Sequence, residues 1–194
     1  MTREEFQERF ICDVGDRCLI SLAGKAGERR ALRGSGPGWV IPRSAKELIC
    51  LHESAHAVVA WVLKRHVYSA SVEPRPDLKT KDGRSLGGLV TQGIEPGEPP
   101  PEHPDKPYTT DEENVQYWLE LARDCFGVDE SYVSALRERL VKKTELLVDA
   151  WWLHILALAD RLAHETNLDE KAIVETLAPR KRRFETDESQ VSAA

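Results

Sequence analysis

The 194-residue sequence has no long apolar run, no bulk positive charge and no apolar signal segment. No stretch approaches the 18 apolar residues typical of a transmembrane helix, and the N-terminal "MTREEFQERF" lacks the apolar core of a signal peptide. The formal net charge of −6 gives no electrostatic basis for binding nucleic acid or an anionic membrane. We therefore expect a soluble cytoplasmic protein whose partners include neither nucleic acid nor a membrane.

Closely spaced cysteine pairs are also missing. The four cysteines, at positions 12, 18, 50 and 125, form no C-x-x-C pair, so a structural zinc knuckle has no support. In a cytoplasmic chain the four cysteines are expected to be buried, reduced thiols.

The spacing of apolar residues predicts a mainly α fold with a small β ribbon. A first helix over residues 3–24 should end or loosen at Gly24 and Gly27, and a Gly/Pro linker follows at 33–42. The capping-box pattern "SAKE" begins a largely apolar helix that runs from Ser44 to about residue 65.

The remaining elements are predicted by similar signals. Alternating segments at 67–73 and 86–92 predict two short strands, and "TDEE" predicts a capped helix from Thr110 that ends at Gly127. Residues 131–166 predict one long helix or two nearly collinear ones, and a last short helix is expected at about 169–177.

The segment "CLHESAHAVVAW", residues 50–61, contains the pattern H-E-x-x-H. His52 and His56 are four residues apart, so on a helix both imidazoles can reach one ion at the ~2.0–2.1 Å of a Zn–N bond. Glu53 is not a ligand in this pattern, but it can hold a water at the metal and accept its proton. The pattern therefore predicts a zinc site with a general base.

An ordinary helix that happens to carry two histidines is the alternative. It is disfavoured because burying two histidines and a glutamate in an apolar helix costs desolvation free energy unless something binds them. A catalytic zinc also needs a third protein ligand. Val59 and Val62 exclude the extended metzincin pattern, which leaves the acidic helix start "TTDEEN" as the natural donor and His154 as its rival.

Three segments resemble the peptidase domain of the FtsH-type, AAA-linked zinc metallopeptidases. "AKELICLHESAHAVVAWVL" is similar to the first zinc helix of that family, which reads H-E-A-G-H-A. "VEPRPDLKTKDGRSLGGLVTQ" resembles the substrate-side strand, and "LADRLAHETNLDEKAIVETL" resembles the last helices. The resemblance covers residues 44–178 and implies a zincin-like fold.

The resemblance also implies roles for individual residues. In the family, the third zinc ligand is an Asp at the start of a later helix that ends in Gly, and the matching position here is Asp111. Zn²⁺ would then be held by His52, His56 and Asp111. An extended substrate would pair with the strand, whose candidate contacts are Leu86, Gly87, Gly88, Leu89 and Val90.

The sequence departs from the family in three ways. It has no P-loop pattern G-x-x-x-x-G-K-[ST], and Ser54 and Ala55 replace the Ala and Gly of the family motif. The family's L-G-G-R-A-A-E helix is missing from its usual place between the strand and the third-ligand helix. The N-terminal "LAGKAGE" resembles it, so the N-terminal helix either fills the same space in a rearranged order or is an ordinary amphipathic helix.

Taken together, these features predict one metallopeptidase-like domain over residues 1–178. Residues 1–43 would be the N-terminal helix and linker, 44–178 the zinc-site core, and 179–194 a disordered tail. The predicted activity is zinc-dependent endopeptidase cleavage of flexible or unfolded polypeptides, independent of ATP in itself. The alternative is a catalytically silent, zinc-binding regulatory protein, and a separate ATPase or an oligomeric partner stays open.

Overall fold

The computed structural model describes residues 3–33, 41–73, 75–79, 85–86, 89–93 and 110–178. Within these residues the chain is mainly helical with a small antiparallel sheet, as predicted. None of the helices described is long and apolar enough to cross a membrane. The elements are α1 (Arg3–Arg33), α2 (Ala45–Val62), β1 (His66–Ser71), β2 (Arg75–Lys79), β3 (Ser85–Leu86), β4 (Leu89–Gly93), α3 (Asp111–Phe126), α4 (Glu130–Ala150), α5 (Trp152–Glu165), β5 (Asn167–Asp169) and α6 (Glu170–Leu177).

Helix α2 is the central element, and residues 50–60 are buried apart from His52. Its N-terminus is capped as predicted, because the Ser44 hydroxyl accepts from the backbone N–H of Glu47. The Glu47 carboxylate accepts from the N–H of Arg43 rather than from that of Ser44, so the reciprocal half of the capping box is shifted by one residue. Helices α1 and α5 and strands β1 and β4 pack around α2.

The prediction that α1 ends near Gly24 or Gly27 was wrong, since the helix continues to Arg33. A Cβ added at Gly27 would lie 2.9 Å from the Ala55 methyl group, so the glycine allows α1 to approach α2 closely. A helical glycine costs about 1 kcal/mol relative to alanine. Here the packing between the two helices offsets that cost.

Helix α3 begins and ends as predicted. Thr110 and Glu113 form a reciprocal capping box, and Gly127 closes the helix in the left-handed conformation at φ 62°. The predicted long segment at 131–166 is two helices, α4 and α5, that meet at Trp151. Asp129 caps the first of them by accepting from the N–H of Tyr132.

The main sheet has three antiparallel strands in the order β4-β1-β5. At its centre, Ala70 pairs with Val90 on one side and with Leu168 on the other. The predicted strand 86–92 is divided: Leu86 belongs to β3, which pairs with β2 in a second sheet, and Leu89 and Val90 belong to β4. Gly87, Gly88 and the predicted tail at 179–194 lie outside the described residues.

Candidate metal centre

The structure brings His52, His56 and Asp111 together, although Asp111 lies on a different helix. The His52 Nε2 atom is 3.0 Å from Asp111 Oδ2 and 3.0 Å from His56 Nε2, and His56 Nε2 is 3.3 Å from the same Oδ2. Ligands at the zinc bond lengths of ~2.0–2.1 Å, tetrahedrally arranged, are separated by about 3.3 Å. The three groups could therefore hold a metal ion.

Both histidines are held through the ring nitrogen that faces away from the cluster. His56 Nδ1 lies 2.6 Å from the Ile20 carbonyl oxygen, and His52 Nδ1 lies 2.7 Å from Glu28 Oε1. A carbonyl oxygen only accepts, so the proton of neutral His56 is on Nδ1 and its Nε2 lone pair is free for a metal. The carboxylate selects the same tautomer at His52. Both partners lie on α1.

The sequence analysis did not single out Glu28, although this residue contacts His52. Its second oxygen accepts from Lys25 Nζ at 2.9 Å. Burial raises the pKa of the Glu28 carboxyl, but the contacts with Lys25 and His52 outweigh it and hold the pKa below its usual range. Glu28 is therefore an ionised partner of His52, and it is the last residue of the "LAGKAGE" segment.

Gly24 faces the two coordinating nitrogens. A Cβ added there would lie 2.4 Å from His52 Nε2 and 2.5 Å from His56 Nε2. Those separations are only slightly longer than zinc–nitrogen bonds, so a side chain would take the space that an ion would occupy. The glycine thus keeps the centre open although α1 passes directly over it.

Electrostatic interactions within the cluster shift the pKa values of Asp111 and His56 in opposite directions. Burial disfavours the ionised form of Asp111, but the imidazoles of His56 and His52 outweigh it and hold the pKa well below the usual range. Burial likewise disfavours the protonated form of His56, but the Asp111 carboxylate raises its pKa to about 9. A partly buried carboxylate therefore faces an imidazolium where a cation can bind.

Glu53 is buried beside this cluster, with 8% of its surface exposed. Burial raises the pKa of its carboxyl, and the negative charges of Asp111 and Glu28 act in the same direction against the lowering effect of the imidazoles. A raised pKa makes a carboxylate a stronger base, and the carboxyl it forms can return the proton. This property fits the role predicted for the second residue of H-E-x-x-H.

The other candidates lie elsewhere. His154 is on α5 with its ring 4.8 Å from that of Trp151, and it does not belong to the His52, His56 and Asp111 group, the one such group in the described ranges. Strand β4, which carries Leu89 and Val90, packs against α2 and lies at one edge of its sheet among the strands that the structure describes. Leu86 does not share that edge.

No family model, curated protein or solved structure matches the chain. The resemblance to the FtsH-type peptidases therefore rests on the sequence segments quoted above. The centre itself consists of two histidines from α2 and an aspartate from α3, with a glycine, a carboxylate and a carbonyl from α1 around them.

Proposed function

We propose that the protein is a zinc-dependent endopeptidase of the FtsH peptidase-domain type. The observation that carries the proposal is the convergence of His52, His56 and Asp111 beside the buried Glu53. A site that served only to hold a metal would have no need of Glu53. A zincin-like fold is part of the same proposal and is supported by the H-E-x-x-H helix and its neighbouring strand.

Zinc is the proposed ion because two imidazoles and one carboxylate at near-tetrahedral separations suit it. When bound, zinc supplies Lewis-acid chemistry: it lowers the pKa of a water toward about 7 and polarises a carbonyl. The chain's part would be to hold the ion with His52, His56 and Asp111. Glu28 and the Ile20 carbonyl bind the Nδ1 atoms of the two imidazoles and so leave their Nε2 atoms facing the place where the ion would bind.

Glu53 would move the proton. It accepts a proton from the attacking water and returns it to the leaving amine, which requires a carboxylate that is neither a ligand nor fully hydrated. Its burial and its raised pKa support this role. Asp111 cannot do the same work, since the imidazoles hold its pKa well below the usual range.

The proposed substrate is a flexible or unfolded polypeptide. Strand β4 uses one side for pairing with β1, and within the described residues no strand occupies its other side. An extended chain could add there as a further strand, at Leu89 and Val90, beside the metal-site helix. Only a backbone that is already free can pair in this way, so a stable folded domain should resist attack.

The deciding experiment compares wild type with Glu53→Gln on an unfolded, casein-like substrate. The amide keeps the size of the side chain and removes the base, so we expect cleavage to be lost while zinc content stays near one per chain. Glu112→Gln is the matched control, because Glu112 is exposed, adjoins Asp111 and pairs with Arg137.

Each other outcome has a definite meaning. Equal cleavage by wild type and Glu53→Gln would assign the activity to a contaminant. Zinc binding by both forms without cleavage by either would contradict the peptidase proposal and support a zinc-binding regulatory protein. The absence of zinc uptake by wild type would remove the centre itself.

A further inference from the structure

We infer that Arg17 and Trp118 form a clasp between α1 and α3 that positions Asp111 for metal binding. The inference rests on the metal site of the proposed function but not on its peptidase activity. The Arg17 guanidinium carbon lies 4.6 Å from the centre of the Trp118 ring, which is the geometry of a cation–π contact.

The clasp matters because Asp111 is the one donor that α2 does not supply. The segment between β4 and α3 is long, so the chain alone does not fix where α3 lies. The position of Asp111 must therefore be set by what α3 packs against. Helix α1 is its main neighbour, and α4 contributes a smaller contact.

Helical spacing connects the clasp to the metal centre. Trp118 follows Asp111 by seven residues, and Arg17 precedes Gly24 by seven. Seven residues are almost two helical turns, so the members of each pair lie on the same side of their helix, about 10 Å apart. Gly24 and Asp111 both face the Nε2 atoms of the two histidines, and Arg17 contacts Trp118 about two turns away, so the clasp lies about two turns from the metal centre along both helices.

A partly buried ion-pair network holds the arginine. Arg17 Nε donates to Asp13 Oδ2 at 2.8 Å, and the other oxygen of Asp13 lies 2.9 Å from Arg65 Nη2. Arg65, just beyond the C-terminal end of α2, also donates to Asp16 at 2.7 Å. The network thus joins α2, α1 and, through the Trp118 ring, α3. This network therefore anchors α3, which carries Asp111, to α2, which carries His52 and His56.

The test measures zinc affinity by chelator competition, without substrate, for Arg17→Gln, Trp118→Leu and the double variant. We expect each single variant to weaken zinc binding by about three- to tenfold and to change the visible spectrum of the Co²⁺ form, because Asp111 is less well placed. The double variant should have the same zinc affinity as the single variant with the lower affinity, since both substitutions remove the same interaction. Arg17→Lys, which keeps a cation over the ring, should retain most of the affinity.

Arg123→Gln is the matched control. Arg123 lies on α3, as Trp118 does, and among the described residues its ion pairs are with the exposed Asp124 and Glu130. It should leave the zinc affinity unchanged. If Trp118→Leu does not fold, Arg17→Gln decides the question.

Three results would overturn the clasp. One is wild-type zinc affinity and Co²⁺ spectrum in the folded Arg17→Gln protein, even with lowered stability. Another is a double variant whose loss is the product of the two single losses. The third is a wild type that binds no zinc, which removes the site as well. A protein that binds zinc but cleaves nothing would overturn the peptidase and leave the clasp standing.

Discussion

The two faces of α2 make contacts of different kinds. The face toward α1 meets glycines and polar groups: Gly24 lies over the histidine nitrogens, and Glu28 and the Ile20 carbonyl bind the rings. The opposite face, which by helical spacing carries Ser54 and Trp61, packs against apolar and aromatic side chains, with the Trp61 ring 5.7 Å from that of Trp151.

We expect this difference to separate effects on metal binding from effects on folding within one helix. Contacts on the α1 face fix ring orientation and leave space for an ion, so changes there should alter metal binding more than folding. Contacts on the opposite face bury apolar surface, so changes there should alter the free energy of unfolding more than metal binding. The predictions below test that separation, beginning with the largest expected effect.

Gly24→Ala, on the α1 side of the centre, should lower zinc affinity more than any other variant. The added methyl group would lie 2.4–2.5 Å from both coordinating nitrogens, so we expect zinc affinity to fall by more than about a hundredfold. Gly15→Ala is the matched control on the same helix, because nothing lies within 4 Å of a Cβ there. It should leave zinc binding unchanged and stabilise the fold by about 0.5–1 kcal/mol. Chelator competition and chemical denaturation measure the two effects, and a zinc-binding Gly24→Ala protein would contradict the geometry.

Glu28→Gln should weaken the centre without removing it. The amide loses the charge that polarises His52, and outer partners of ligating histidines typically contribute 10- to 100-fold in metal affinity. We therefore expect a loss of about that size, with the fold intact by circular dichroism. Lys25→Met, which removes an exposed partner of Glu28, should have a much smaller effect. Equal losses from the two variants would show that the local charge, rather than the bond to His52, is what matters.

Zinc affinity should rise with pH. Despite burial, the Asp111 carboxylate raises the pKa of His56 to about 9 from its usual 6.5, so an ion must displace a proton below that pH. Affinity should increase by up to about tenfold per pH unit between pH 6.5 and 9, with about one proton released on binding. Titration calorimetry in buffers of different ionisation enthalpy measures the release, and a flat profile would contradict the pairing.

The metal-free protein should show the opposite trend in stability. A raised pKa in the folded state means that the His56–Asp111 pair contributes fully below pH 6.5 and that the contribution is lost as pH rises through about 9. Denaturation of the metal-free protein across this range tests the same shift independently of zinc.

Ser54→Ala should give the smallest effect and should act only on stability. The Ser54 hydroxyl is fully buried, and within the described residues it has no hydrogen-bond partner. Replacing an unsatisfied buried hydroxyl by hydrogen should stabilise the protein by about 1 kcal/mol, with zinc affinity unchanged. A lowered free energy of unfolding would mean that the hydroxyl has a partner after all, such as a buried water.

Much of the local structure was predictable because it depends on residues close together in sequence. The Ser44 and Thr110 caps, the left-handed Gly127 and the pairing of His52 with His56 follow from spacings of three to seventeen residues. Two helices at 131–166 were one of the two predicted alternatives, but the position of the break at Trp151 and the true end of α1 were not predicted. Glycine in isolation favours a helix end, and only the contact with α2 makes Gly24 and Gly27 suitable for a continuous helix.

The sequence by itself determined that one helix would present two histidines and a glutamate to a common place, because a period of 3.6 residues puts positions four apart on the same side. The family resemblance, not the spacing, indicated Asp111. Only the tertiary structure decided that Glu28 binds His52, that the Ile20 carbonyl binds His56, and that Gly24 leaves the space between them. These partners are 24 or more residues away along the chain, and no local pattern encodes how two separate helices will lie against each other.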